Sequence, residues 1–164
     1  MSINPVVELF SGLRGSSVAV FPNTGNAGDG FIMYATLWML RRFDVEYQLY
    51  SADDVVSGKT VLFGGGGNLL EGAYATMANT IRRNFDSNRC ILLPHTIHGF
   101  SDLAQLTTRG FEVYLREPRS YQAMLANGAR ADRVHLGHDM TFYLPADIFS
   151  QVQSKGAGTL YCLR

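Results

Sequence analysis

The sequence has little of what would place a protein outside the cell, across a membrane or along nucleic acid. Its two cysteines, Cys90 and Cys162, both lie in apolar stretches, which excludes a disulfide framework and reads as reduced core thiols. No run approaches the ~18 apolar residues that a membrane span needs. No basic segment followed by an apolar one opens the chain, so no secretory leader is expected and the expected compartment is the cytoplasm. Charge is scarce as well: 17% of the residues are charged, and 14 acidic residues balance 14 basic ones. That balance argues against a broad phosphate-neutralising surface and hence against nucleic acid as the main partner. A small anion, which needs only one or two local cations, stays open.

What the sequence does have is apolar residues and glycine. Hydrophobic residues make up 46% of 164 residues, enough for one domain with a sizeable core. The 17 glycines cluster after predicted strands, above all in Thr60-Val-Leu-Phe-Gly-Gly-Gly-Gly-Asn68. Thr60 to Phe63 does not alternate, so it reads as a strand buried on both faces. Four consecutive glycines remove every Cβ from the following turn, permitting positive φ and close approach of a ligand to bare N–H groups. A tight turn packed against a neighbouring helix would use the same residues.

Other segments repeat the pattern of a short apolar strand followed by unusual chemistry. Val6 to Leu13 predicts a short amphipathic helix, and Ser17 to Phe21 a buried strand. The loop Pro22 to Gly30 leads into a helix over Phe31 to Arg42, with Asp29 as expected N-cap. This helix is apolar nearly all round, so it must lie deep in the domain or face a partner, a second copy of the chain included. Val45 to Tyr50 is a second strand, and Asp53 and Asp54 cap a turn after it. Ala73 to Phe85 is helical, Cys90 to Leu93 is a strand, and Pro94 to Gly99 is the loop after it. A short helix starts at Ser101 or Asp102, Phe111 to Leu115 is a strand, and Arg116 to Ser120 opens a helix that stops near Asn127-Gly128. Arg133 to Leu136 is a sixth strand, ended by Gly137 to Met140. Short, continuously apolar strands alternating with helices predict an α/β fold: an open, mostly parallel, Rossmann-like sheet with helices on both faces. Residues 1–144 are expected to form this domain. Residues 145–158 read as a linker, and Thr159 to Arg164 as either an added strand or the start of a second, truncated domain.

In such sheets ligands bind beyond the carboxyl ends of the strands. Asn23 to Asp29, Gly64 to Asn68, His95 to His98, Arg116 with Glu117, and His138 with Asp139 all fall there. The glycines match neither the Walker loop nor the dinucleotide fingerprint. The helix after Asp29 would present N–H groups to an anion, unless the Asp29 carboxylate fills that place. Arg116 can hold a carboxylate or phosphate in two-point fashion, or it can form an ion pair with Glu117 or Asp139. Glu117 and Ser120 also suit the first turn of the helix they open. His95 is a candidate general acid or base near neutral pH. His95, His98, His138 and Asp139 are zinc-type ligands, but their spacing matches no common metal motif, so no metal is expected. His135, inside a strand, reads as a core or sheet-surface residue.

Five motifs in order carry a family resemblance: Asn26-Ala-Gly-Asp29 before a helix, Phe63-Gly-Gly-Gly-Gly-Asn68, Leu92-Leu-Pro-His-Thr96, Arg116-Glu-Pro-Arg-Ser120, and Gly137-His-Asp139 before an apolar run. Over about Ser17 to Leu144 the chain resembles the N-terminal half of the polysaccharide pyruvyl transferases. The resemblance implies two Rossmann-type domains facing across a cleft, as in GT-B glycosyltransferases. It implies transfer of the enolpyruvyl unit of phosphoenolpyruvate to two hydroxyls of a saccharide or lipid-linked saccharide, giving a pyruvate ketal and free phosphate, with no cofactor. It places Arg116, with Glu117 beside it, near the phosphoenolpyruvate anion. Asn26, Asp29, Gly65, Gly66, Gly67 and Asn68 fall along the cleft, and His95 or Asp139 is available for proton work. Two positions depart from the family pattern: His95 stands where glutamine is usual, and His138 where proline often precedes the aspartate. The family's second half carries an arginine-histidine motif tied to catalysis. This sequence ends where that half would begin, so the chain is expected to be a fragment or a shortened protein, incomplete as a catalyst. A glycosyltransferase-like half that binds a nucleotide sugar, and a non-catalytic association domain, are the rival expectations.

Overall fold

The apolar strands alternate after all, but between two cores instead of between core and solvent. In the computed structural model, which describes residues 4–148, helix α1 (Pro5–Gly12) leads into strand β1 (Ser17–Phe21), and α2 (Ala27–Arg42) follows before β2 (Glu46–Leu49). Strands β3 (Thr60–Phe63) and β4 (Gly66–Leu70) precede α3 (Thr76–Asn84). Strand β5 (Arg89–His98), α4 (Ser101–Leu106), β6 (Glu112–Leu115), α5 (Pro118–Ala126) and β7 (Val134–Leu136) complete the sheet. Val18, Val20, Leu62, Ile91, Leu93 and Tyr114 face one core, shared with Val6, Leu9 and Phe10 of α1 and Ile32, Ala35, Met39 and Leu40 of α2. Ala19, Phe21, Val61, Phe63, Cys90, Leu92, Val113 and Leu115 face the other, against Met77 and Ile81 of α3, Leu103 of α4 and Met124 of α5. The inner strands β1, β3 and β6 and the first half of β5 therefore need apolar side chains at nearly every position, whereas the edge strand β2 is mostly exposed. Cys90 is a free, buried thiol whose pKa burial pushes up to about 12; Cys162 lies outside the described residues.

The strand order is β2-β1-β3-β5-β6-β7, with β4 paired to β5, and every ladder is parallel. The chain turns from one side of β1 to the other between β2 and β3, so the carboxyl ends of β1 and β3 border the crevice where such sheets bind ligands.

Three departures from the expected elements bear on the site, besides smaller shifts such as α3 starting at Thr76 instead of Ala73. Helix α2 begins at Ala27, four residues before Phe31. The segment Pro94 to Gly99, expected as a loop, is mostly strand: β5 runs unbroken to His98. Pro94 has no N–H for a ladder, and the register shifts around it on both sides, between Gly66 and Leu69 on β4 and between Leu92 and His95 on β5. A bulge is what lets proline sit in an inner strand. The last two glycines of the run, expected as turn, open β4. They lie in line with β3, so the first half of β5 pairs with β3 and the second half with β4. The linker beyond residue 148 and the strand at Thr159 to Arg164 lie outside the described residues. Among the described residues no helix is long and apolar enough to cross a membrane.

The all-apolar helix is partly accounted for. Ile32, Ala35, Thr36, Met39 and Leu40 are buried, and Trp38 is covered in part by the Arg42 guanidinium, 5.1 Å above its ring.

Candidate functional site

The four glycines are explained by what packs against them. None has positive φ. A Cβ on Gly64 would lie 2.6 Å from the Asn23 nitrogen, one on Gly65 2.6 Å from the Pro94 carbonyl oxygen, and one on Gly67 2.6 Å from Arg116 Nη2. A Cβ on Gly66 would overlap the Asn23 side-chain amide. The expectation of bare N–H groups reached through positive φ is thus corrected. Close approach is the reason for the glycines, and the groups that approach belong to the protein.

The loop before α2 shows why Asn23 comes so close. Asn26, not Asp29, is the N-cap: its Oδ1 accepts from the Gly28 N–H at 2.8 Å. Asp29 stands three residues on and closes a capping box, with Oδ2 accepting from the Asn26 N–H at 3.0 Å. Its other oxygen accepts from Asn23 Nδ2 at 3.1 Å. The N–H groups of Asn26 and Gly28 at the start of α2 are therefore taken by the protein itself, and the Asp29 carboxylate holds Asn23, which packs against the glycine run.

A cleft of about 530 Å³ opens between this loop, the end of the glycine run and α3. Asn23, Asn26, Asp29, Asn68, Tyr74 and Arg116 are among its walls. Among the described residues of the wall, Arg116 is the only cation and Asp29 the only anion; the other polar groups are amides and hydroxyls. Asn68 Oδ1 is buried without a hydrogen-bond partner among the described residues.

Arg116 follows β6 and is partly buried. Its Nη1 donates to Asp139 Oδ2 at 2.7 Å and its Nε to Thr96 Oγ1 at 2.8 Å. The Arg116 N–H donates to the His95 carbonyl at 3.3 Å. Asp139 Oδ1 accepts from the Thr141 N–H at 3.0 Å and from the Thr141 hydroxyl at 2.9 Å, capping a turn at Met140–Tyr143. Of the two ion pairs open to Arg116, the one with Asp139 forms. Glu117 instead stands at the N-cap position of α5, where its side chain accepts from the Ser120 hydroxyl and from no backbone N–H of the first turn, away from the cleft walls.

His95 lies fully buried beside this pair. Its Nδ1–H donates to the Thr96 carbonyl at 2.9 Å, and Nε2 has no partner among the described residues. Burial, aided by the nearby Arg116 charge, pushes the imidazole down to about 4 against the pull of the Thr96 carbonyl. The ring is neutral at pH 7, so it is not the acid near neutrality that its ordinary titration would make it. His98 and His138 are exposed, the latter tilted against Phe142 at 5.9 Å, and His135 stacks on Tyr114 at 4.6 Å. Among the described residues no three His, Cys, Asp or Glu side chains gather closely enough to hold a metal. Asn26, Asp29, Gly67, Asn68 and Arg116 thus share the cleft, whereas Gly65, Gly66, His95, Asp139 and Glu117 stand behind or beside it. Asn23 and Thr96 tie these pieces together through Asp29 and Arg116; the sequence placed both in segments at the sheet edge, Asn23 to Asp29 and His95 to His98, but assigned neither a role of its own.

No functionally curated protein matches the chain. It is similar to a functionally uncharacterised protein of Klebsiella pneumoniae known from its crystal structure, with 31% identity and a TM-score of 0.78 over 91% of this chain. That match takes in 60% of the other chain, so this sequence corresponds to only part of the longer protein. The family model for polysaccharide pyruvyl transferases matches residues 26–164, most of the chain and all of the cleft loops from Asn26 onward, and the chain belongs to that family.

Proposed function

We propose that the chain is the N-terminal half of a GT-B-like pyruvyl transferase and that it uses phosphoenolpyruvate to form a pyruvate ketal on a saccharide. The observation that carries the donor assignment is Arg116, the single cation among the described residues on the wall of a cleft at the sheet's switch point. Its guanidinium suits a phosphate or carboxylate oxygen. The surrounding amides and hydroxyls suit saccharide hydroxyls.

The balanced reaction needs a proton on the methylene carbon of phosphoenolpyruvate. Two sugar oxygens then bond to the central carbon, and the bond from that carbon to the phosphate oxygen breaks. Of the two protons lost by the hydroxyls, one is matched by the new methyl group and the other by the departing phosphate. In this reading Asp139 and His95 hold Arg116 in place and transfer no proton. Both Asp139 oxygens are engaged by Arg116 and Thr141, and His95 is enclosed. Phosphoenolpyruvate carries more negative charge than one paired arginine offsets, so further cations and the proton donor are assigned to a second half.

A thermal-shift titration of the chain with phosphoenolpyruvate, inorganic phosphate and UDP-sugars tests this reading. Ligand at a hundred times its dissociation constant stabilises by about 2.7 kcal/mol. A rise with phosphoenolpyruvate that disappears in Arg116→Ala is expected. A rise with a nucleotide sugar alone would replace the donor assignment with that of a glycosyltransferase-like half.

A further inference from the structure

The Asp139 contact by itself does not fix the direction in which Arg116 faces. One hydrogen bond at Nη1 leaves the guanidinium plane free to swing about that contact. A second anchor stops the swing: Thr96 Oγ1, 2.8 Å from Nε on another part of the group. With Nε and Nη1 held, Nη2 is the remaining nitrogen, and among the described residues it donates to no protein acceptor. It lies against Gly67, at the cleft wall that both residues share, where a Cβ would sit 2.6 Å away.

We propose that Thr96 and Gly67 are positioning residues for Arg116. Thr96 sets the plane of the guanidinium, and Gly67 vacates the space through which Nη2 reaches the cleft. The pair thereby sets how strongly the cleft holds an anionic oxygen, an inference that rests on the assignment of Arg116 to the donor anion. Neither residue touches the ligand in this scheme. The hydroxyl is needed because valine, similar in shape, would leave the Nε–H without its acceptor. Glycine is needed because any Cβ would push the guanidinium out of its anchored plane.

The test combines the NMR signal of the Arg116 Nε–H with titration by phosphoenolpyruvate and inorganic phosphate, on the full chain and on Thr96→Val, Thr96→Ser and Gly67→Ala. The Nε–H is expected to exchange slowly in the unsubstituted chain and in Thr96→Ser, and rapidly in Thr96→Val. Affinity for phosphoenolpyruvate is expected to fall about tenfold in Thr96→Val and in Gly67→Ala, and to return to within about twofold in Thr96→Ser. Slow exchange and full affinity in Thr96→Val would overturn the proposal. If Thr96→Val does not fold, unchanged affinity in Gly67→Ala overturns it. If Nε–H protection depends on Thr96 but even the unsubstituted chain binds neither anion, the positioning stands and the donor assignment falls.

Discussion

At the scale of single residues, the site owes its form to buried polar groups whose partners are unusual. His95 is the clearest case. Its pKa is lowered from the ordinary 6.5 to about 4, chiefly by burial. Between those values the unfolded chain binds a proton that the folded chain does not, so stability rises with pH across that window. The His95 contribution is fully present above about pH 6.5 and is lost as pH falls towards 4, by about 3 kcal/mol in all. Urea unfolding at pH 7.5 and pH 4.5 should therefore show a larger loss on acidification in the parent chain than in His95→Gln, which has no imidazole to titrate. An identical pH dependence in the two would mean that the ring is solvated or already charged. The sequence showed that a histidine follows a buried strand. It did not show that Pro94 bulges β5 and carries that histidine into the interior, because the bulge depends on partners in β4 and β6.

At the scale of elements, helix α2 is set by its first turn. Asn-Ala-Gly-Asp holds the spacing of a capping box, yet reading Asp29 as the cap shifts the helix start by four residues. Local propensity misleads here, because glycine at positions 28 and 30 argues against helix. The paired hydrogen bonds of Asn26 and Asp29, with the tie to Asn23, outweigh that penalty. Asn26→Ala should cost about 1 kcal/mol of stability, and Asn26→Ser much less. Chemical denaturation of the two variants measures this directly. An equal loss in both would show that the cap hydrogen bond contributes little and that the amide serves the cleft instead. The glycine run teaches the same lesson from the other side. Four glycines announce a close approach, but only the folded chain shows that Asn23, Pro94 and Arg116 do the approaching.

At the scale of the whole molecule, the sheet divides its interior into two cores, and stability should follow that division. Strands β3 and β5 lie inside the sheet with most of their residues buried, whereas β2 is an edge strand whose residues are mostly exposed. Amide hydrogen exchange should find β3 and the first half of β5 opening only with global unfolding. The β2 amides should open at a free energy lower by roughly 2 kcal/mol or more. Equal protection of β2 and β3 would point to a partner along the β2 edge. The cleft lies between the interior strands and the loops that follow them, so it combines a rigid floor with walls that local hydrogen bonds must hold.

The sequence by itself determined the alternation of strand and helix, the two-faced burial of the strands, the edge at which the unusual residues collect, and the family. These follow from side-chain chemistry and spacing along the chain, which need no knowledge of what lies across the sheet. The tertiary structure alone decided which of those residues meet. Arg116 pairs with Asp139 and not with Glu117, His95 turns neutral, and Thr96 becomes the second anchor of the guanidinium. The physical reason is that hydrogen bonds and desolvation act over a few ångströms between groups about twenty residues apart, and those distances exist only once the strands have paired.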